Sequence, residues 1–331
     1  MIKRRIVFTG LAAAGFVSGL ARAHAQATRP LLAVLSPISR ESAVAGLVNV
    51  PFTKALSELG WTNGHNIDIV ERYAGGDERR LDALATELVA MRPKVMFTNT
   101  NAAAAALARQ TREIPIVVGP AGEAVLLQLA GGSLARPRQN VTGFVLTSPE
   151  IDAKCMALLI QQLPSLRRIG VLVNPRNPGT REYPAPLRPG APDAGLLRLE
   201  TTGMTDIDAA LARARQERVE ALFVADDAQI AANAAVRARI LAFADAARIP
   251  VVSSHLAFAH AGALIAMGPS IPVLAARAAG YVDRILHGAR PADLPIELPS
   301  ILTTIVNRRT ARALGLAIGA DLLLRADEVI E

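Results

Sequence analysis

The sequence predicts an α/β fold built from two doubly wound parallel-sheet units, and three observations carry that prediction. Short, almost wholly apolar runs alternate with amphipathic stretches along the chain. Strands of a parallel sheet are buried on both faces, so they read as continuous apolar runs. The pattern restarts near residue 145, and the length of 331 residues suits about two domains of roughly 100–200 residues each.

In the first half, residues 31–35 (LLAVL) read as a buried strand and residues 43–59 as a helix stopped by Gly60. Residues 67–70 alternate as a strand. The stretch 78–91 places Leu81, Leu84, Ala85, Leu88 and Val89 on one helical stripe. A strand at 95–97, a helix at 101–112, a strand at 116–118 and a helix at 125–134 complete this unit. After Val141-Thr142-Gly143-Phe144 the alternation resumes, with helices at 152–163, 207–216 and 236–247 and strands at 168–173, 221–225 and 250–252. Residues 263–267 and 273–286 add a strand and a helix, and 291–299 form a proline-punctuated linker. The segment 181–194 carries Pro184, Pro186, Pro189 and Pro192. Each proline costs a helix interior about 3 kcal/mol or more, so a loop is expected there.

The leading 27 residues have the form of an export signal. Lys3, Arg4 and Arg5 make a basic head, residues 6–20 are uncharged and mostly apolar, and Ala21, Ala23, Ala25 and Ala27 alternate along a small-residue cleavage region. An apolar run of about 15 residues is shorter than the roughly 20 needed to span a bilayer. Cleavage is expected near Ala25 or Ala27. The Arg4-Arg5 pair leaves general and twin-arginine export both open. Loss of the four leader cations lowers the net charge from +7 to about +3, and no basic stripe is interleaved with aromatics, which argues against nucleic acid. Cys155 is the sole cysteine, so no internal disulfide can form, and the core alone must hold an exported chain together. A periplasmic location follows.

The order and spacing of several short motifs resemble a known family. They include Leu56-Ser57-Glu58-Leu59-Gly60-Trp61, Ala74-Gly75-Gly76-Asp77, Ile114-Pro115-Ile116-Val117, Ser133-Leu134-Ala135-Arg136-Pro137 and Asn140-Val141-Thr142-Gly143. Asn174-Pro175, Asn177-Pro178, Gly288-Ala289-Arg290-Pro291 and Ala326-Asp327-Glu328-Val329-Ile330 extend the match over almost the whole mature chain. The sequence is similar to the periplasmic substrate-binding proteins of ABC importers, in the group with tryptophan- and tyrosine-binding members. That resemblance implies a type I periplasmic-binding fold with a three-strand hinge, in which one lobe comprises residues 28–145 with 257–293 and the other 146–256 with 294–331. It also implies an inner-membrane ABC permease as partner and a monomeric, cofactor-free receptor. Two departures stand out. The family's Gly-Asp-Pro-Val turn is replaced by Gly122-Glu123-Ala124-Val125, and the proline-rich 181–194 stretch stands where the family has a helix.

Ligands of open parallel sheets sit beyond the carboxyl ends of the strands, and those ends supply the candidate site. Ser36, with Ser39 nearby, follows the first strand. Thr98, Asn99, Thr100 and Asn101 precede an alanine-rich helix whose N-terminus suits a carboxylate. Glu123 matches the family's acid by position and suits a ligand ammonium. Ser148, Asn174, Asp226 with Asp227, and Ser254 with His255 lie at the corresponding ends of the second unit. Each is also a residue type that caps helices without any ligand. Acids from both lobes and a carboxylate seat together fit a zwitterion.

Signals for catalysis and metals are weak. His255 and His260 are five residues apart, which suits neither helical face, so no metal site is expected. Neither a Gly-x-Ser-x-Gly elbow nor a phosphate-binding glycine loop follows a strand, and Cys155 sits among apolar residues as packing. The expectation is a non-enzymatic receptor that closes on a small polar, amino-acid-like solute. An exported α/β enzyme using Asp226 and Asp227, or a sensing module of a membrane receptor, is the alternative.

Overall fold

The computed structural model describes residues 29–177, 179, 180, 183, 195–227 and 229–331. The expected leader (1–27), Pro178 and most of the proline-rich stretch lie outside the described residues.

The first sheet is built from β1 (Leu31–Ser36), α1 (Ala43–Glu58), β2 (Asp68–Tyr73), α2 (Leu81–Ala90), β3 (Val95–Thr98), α3 (Asn101–Gln110), β4 (Ile116–Gly122), α4 (Glu123–Leu129) and β5 (Val141–Thr147). Its strands are all parallel in the order β2-β1-β3-β4-β5. Every residue of β3, β4 and β5 is buried, which is why these strands are mostly apolar rather than alternating, with Thr98 and Thr142 bonding their hydroxyls to backbone carbonyls. Along β1, Ala33 and Leu35 face α2 and α3, while Leu32 and Val34 face Phe52 and Leu56 of α1. The expected helix at 125–134 ends early, because Gly131 and Gly132 follow it with φ of +75° and +86°, a conformation that terminates helices.

The second half contributes α5 (Pro149–Gln162), β6 (Arg168–Val173), β7 (Gly195–Glu200), α6 (Ile207–Gln216), β8 (Ala221–Val224), α7 (Ala234–Ala247), β9 (Val251–Ser253), α8 (Ala257–Ala261), β10 (Ile265–Gly268), α9 (Ile271–Leu286), β11 (Thr303–Asn307), α10 (Arg308–Leu314), α11 (Ala320–Arg325) and β12 (Glu328–Ile330). The second sheet runs β12-β11-β10-β9-β8-β6-β7, and among the described residues its one antiparallel pair is β10 with β11.

The chain passes between the lobes three times. It leaves the first sheet after β5, since α5 packs Cys155, Met156 and Leu159 against the second. It returns after Gly268, when α9 lays Leu274, Ala278, Tyr281 and Val282 on the first sheet beside α1. The third passage follows Glu297, whose backbone still pairs with β5 through Glu297 N–H to Gly143 O at 3.0 Å and Val145 N–H to Glu297 O at 2.8 Å. These bonds correct the expected boundaries. Residues 257–268 belong with the second sheet, because β10 pairs with β9 and β11, and residues 294–297 stay with the first lobe.

Buried acids affect how stability responds to pH. Asp152, on α5, is fully buried and accepts a 2.6 Å hydrogen bond from the Tyr183 hydroxyl. Burial raises its pKa to about 6, against the lowering effect of its bonding partners. The folded protein therefore holds an extra proton between about pH 4 and 6, so this group's contribution falls as pH rises through that window. Asp152→Asn removes the ionisation while keeping an oxygen for Tyr183. It is expected to stabilise the protein by about 2 kcal/mol at pH 8 and to lose that advantage near pH 4. Urea titrations of both proteins at the two pH values measure this.

Candidate functional site

The carboxyl ends of the two sheets face one another, and a cavity of about 60 Å³ lies between them. From the first lobe come Ile38, Val48, Glu78, Asn99, Thr100, Asn101 and the β4 end at Pro120, Ala121 and Gly122; from the second come Asn177, Asp226, Asp227, Ala232 and His255. Leu146 and Ile271, beside the first two passages, complete the wall. None of the described lining residues is a lysine or arginine.

The cavity is held by a chain of amide groups that joins the lobes. Asn101 opens α3, and its Oδ1 accepts from Gly122 N–H at 2.7 Å. Asn101 Nδ2 donates across the cleft to Asn177 Oδ1 at 2.8 Å. Asn177 Nδ2 then donates to Asp227 Oδ2 at 2.8 Å, where Asn174 Nδ2 also donates at 3.2 Å. The other Asp227 oxygen accepts the backbone N–H groups of Gln229 and Ile230 at 2.8 and 3.0 Å. Gly179 makes this approach possible: a Cβ there would stand 2.4 Å from Asn101 Nδ2.

Three carboxyl groups face the cavity with raised pKa. Asp226 is pushed up to about 7, first by burial and then by the charges of Asp227 and Asp152. Part of its surface meets the cleft, and the rest is covered by protein. Burial also raises Asp227, against the four hydrogen bonds that favour its ionised form. Glu78, just before α2, is raised by burial and by Asp227, with Arg176 opposing. Such a group of acids favours a cationic ligand, which would relieve the repulsion among them.

His255 is 3% exposed. Its Nδ1 accepts from Ala257 N–H at 3.3 Å, which places the neutral ring's proton on Nε2, and Nε2 meets no partner among the described residues. Burial and the Arg237 charge lower its pKa to about 4. It is a neutral donor at the cavity wall.

The sequence candidates divide into two groups. Asn99, Thr100, Asn101, Asp226, Asp227 and His255 line the cavity together. Ser36, Thr98, Glu123, Ser148, Asn174 and Ser254 do not. Thr98 is fully buried, and its hydroxyl donates to Leu35 O at 2.9 Å, which ties β3 to β1. Ser148 caps α5 by accepting from Ile151 N–H at 3.3 Å, and Asn174 serves the cavity only through Asp227. Glu123 stands in the first turn of α4, where burial and the Glu150 charge raise its pKa. Ser36 Oγ is buried without a partner among the described residues, and the buried Ser254 hydroxyl lies beside Asp152, whose ionised form it favours. Glu78 and Asn177 were not foreseen as lining residues. Their signal was position: both follow strand ends, after Ala74-Gly75-Gly76-Asp77 and after Asn174-Pro175. Among the described residues no three histidines, cysteines or acids group to hold a metal. Cys155 is buried and donates to Ser253 O at 3.3 Å, and burial pushes its thiol pKa up, as for a packed rather than a reactive cysteine.

Comparisons with known proteins agree with this architecture. A tyrosine-binding protein of Clostridioides difficile is 24% identical over 268 residues, 80% of this chain and 75% of that protein. A conserved domain protein of Vibrio cholerae superposes with a TM-score of 0.82 at 23% identity, covering 91% of this chain and 99% of the other. A Streptococcus pneumoniae ABC domain in complex with L-Trp gives 0.81 at 21% identity, covering 92% and 100%. Both structures share the two-lobed α/β fold. Residues 32–330 match the model of one family over nearly the full chain, and the chain belongs to that family, the ABC transporter substrate binding proteins.

Proposed function

We propose that this chain captures an amino-acid-like solute between its lobes in the periplasm and delivers it, as a monomer, to an ABC permease. Family membership supplies the general role, a binding protein for a small molecule that serves an ABC import system. The observation that carries the finer reading is the composition of the cavity wall, with Glu78, Asp226 and Asp227 drawn from both lobes and no lysine or arginine among the described lining residues. An ammonium group fits such a wall. The relative that binds tyrosine and the structure that holds L-Trp support the same ligand class. Closure follows from differential affinity: a solute touching both lobes binds the closed form better and shifts the population toward it. The export signal read from residues 1–27 accounts for the location, and among the described residues no helix is long and apolar enough to cross a membrane.

A thermal-shift screen of the mature chain against amino acids and related amines tests the reading, since binding to the native state raises its melting point. Lack of any hit among them would count against it. Binding should also be linked to protons. Asp226 is about half protonated near pH 7, and a cation settling beside it favours the carboxylate and releases the proton. Affinity is therefore expected to rise with pH through 7 and level off above about pH 8. Calorimetry in buffers of low and high ionisation enthalpy should show heats that differ by the released proton. Equal heats would refute Asp226 as the titrating group.

A further inference from the structure

A second chamber of about 260 Å³ opens between the lobes beside the acidic cavity, and the two share Ile38 and Ala232 as a common wall. Its electrostatics are opposite. Arg237, in the first turns of α7, lines it together with Gln229, Ser39 and the α7 start at Asn233 and Ala234. The Arg237 guanidinium donates to Ala231 O at 2.8 Å and stands 6.0 Å from the centre of the Phe258 ring. It is partly buried, has no carboxylate partner among the described residues, and burial lowers its pKa from the ordinary value. A guanidinium carries five donors in a planar fork, so most remain unused here. Nearby, Gln229 Nε2 is shielded from solvent and has no acceptor among the described residues. The α7 N-terminus adds its own positive end to the chamber. A partly desolvated cation and an orphaned amide donor lining one chamber call for an anionic acceptor.

We propose that this chamber is an anion subsite of the cleft, in which Arg237 and Gln229 hold the carboxylate of the captured solute while its ammonium lies in the acidic cavity. This deepens the receptor reading and rests on it for the second half of the claim. It moves the carboxylate away from the α3 N-terminus that the sequence suggests, where the Asn101 and Thr100 side chains are already bonded to Gly122, Asn177 and Ala103. The two opposite charges then sit in adjoining chambers, which selects solutes by the spacing of their charged ends as well as by their side chain.

The test uses the mature chain and two sets of probes. Acetate, succinate and glutarate, each compared with chloride at equal ionic strength, should raise the melting temperature of the wild type in a saturable way. They should have no such effect on Arg237→Gln, and a reduced one on Gln229→Ala. No carboxylate-specific shift in the wild type, or an equal shift in Arg237→Gln, overturns the subsite. The amino acid that emerges from the screen should bind Arg237→Gln about ten- to hundredfold more weakly, as expected for loss of a charge-assisted bond. Arg237→Lys, which keeps the charge but not the fork, should fall between. If Asp226→Asn weakens that amino acid and Arg237→Gln does not, the anion subsite fails and the receptor reading stands. If no amino acid binds but the carboxylate series still distinguishes Arg237→Gln, the ligand class fails and the subsite stands.

Discussion

Asp227→Ala is expected to lower stability by about 3 kcal/mol and to abolish measurable solute binding. The carboxylate collects four donors, from Asn174, Asn177 and the backbone of Gln229 and Ile230. Alanine leaves all four without their acceptor in a buried place, and each unsatisfied buried donor costs about 1–3 kcal/mol. Relief of the buried charge offsets part of this, which is why the net figure stays well below the sum. Binding suffers separately, because Asn177 loses the partner that holds it against Asn101. Asp227→Asn separates the two effects. It keeps one oxygen for the Gln229 and Ile230 N–H groups but turns an amide donor toward Asn174 and Asn177. This variant should fold, with a smaller stability loss by urea titration, and still bind at least about tenfold more weakly by calorimetry. Normal affinity in the folded Asp227→Asn protein would remove Asp227 from the site.

Gly143→Ala is expected to be more damaging still, costing upwards of about 4 kcal/mol. Gly143 sits in the middle of β5 with φ of +149°, and a Cβ there would stand 1.9 Å from Val118 O of the neighbouring strand. The contact is with backbone, so no side-chain rotation relieves it. The same residue accepts the Glu297 N–H that ties the third passage between lobes to β5. The variant should therefore lose both the pairing of β4 with β5 and the anchor of the last crossover. Poor soluble yield, or a melting temperature lowered by more than about 8 °C, is the expected measurement. A protein that melts like the wild type would show that β5 can shift to admit the methyl group.

The fold was legible where burial is two-sided. β1, β3, β4, β6 and β8 are apolar runs because helices cover both of their faces, and that signal needs no partner to be recognised. β7 escaped notice because it is an edge strand, partly exposed and carrying Arg198 and Glu200. β11 was missed because only Ile305 and Val306 of its five residues are apolar, and β12 because it is three residues long and partly exposed. The sheet to which β10 belongs could not be read locally, since its sequence fits either sheet and only pairing with β9 and β11 decides. Among the candidates named from strand-end position, Asn99, Asn101, Asp226, Asp227 and His255 line the cavity between the lobes. Thr98 and Ser148 do not line it, since their hydroxyls are engaged in strand tethering and helix capping. Glu78 was hidden because an acid before a helix is ordinary first-turn chemistry. Arg237 lies within a helix, away from any strand end, so only the packing of one lobe against the other reveals its place.

The Asn101–Asn177 bond has a consequence for transport itself. It is formed by the receptor's own atoms, so the shut arrangement gains some free energy whether or not cargo is aboard. The solute then has less work to do in drawing the halves together, and is expected to be caught at lower concentration. The same bias is expected to hold a larger share of the empty receptor in the shut arrangement. A receptor whose amides at 101 and 177 were replaced by apolar residues is expected to open more readily and to hold its solute less tightly.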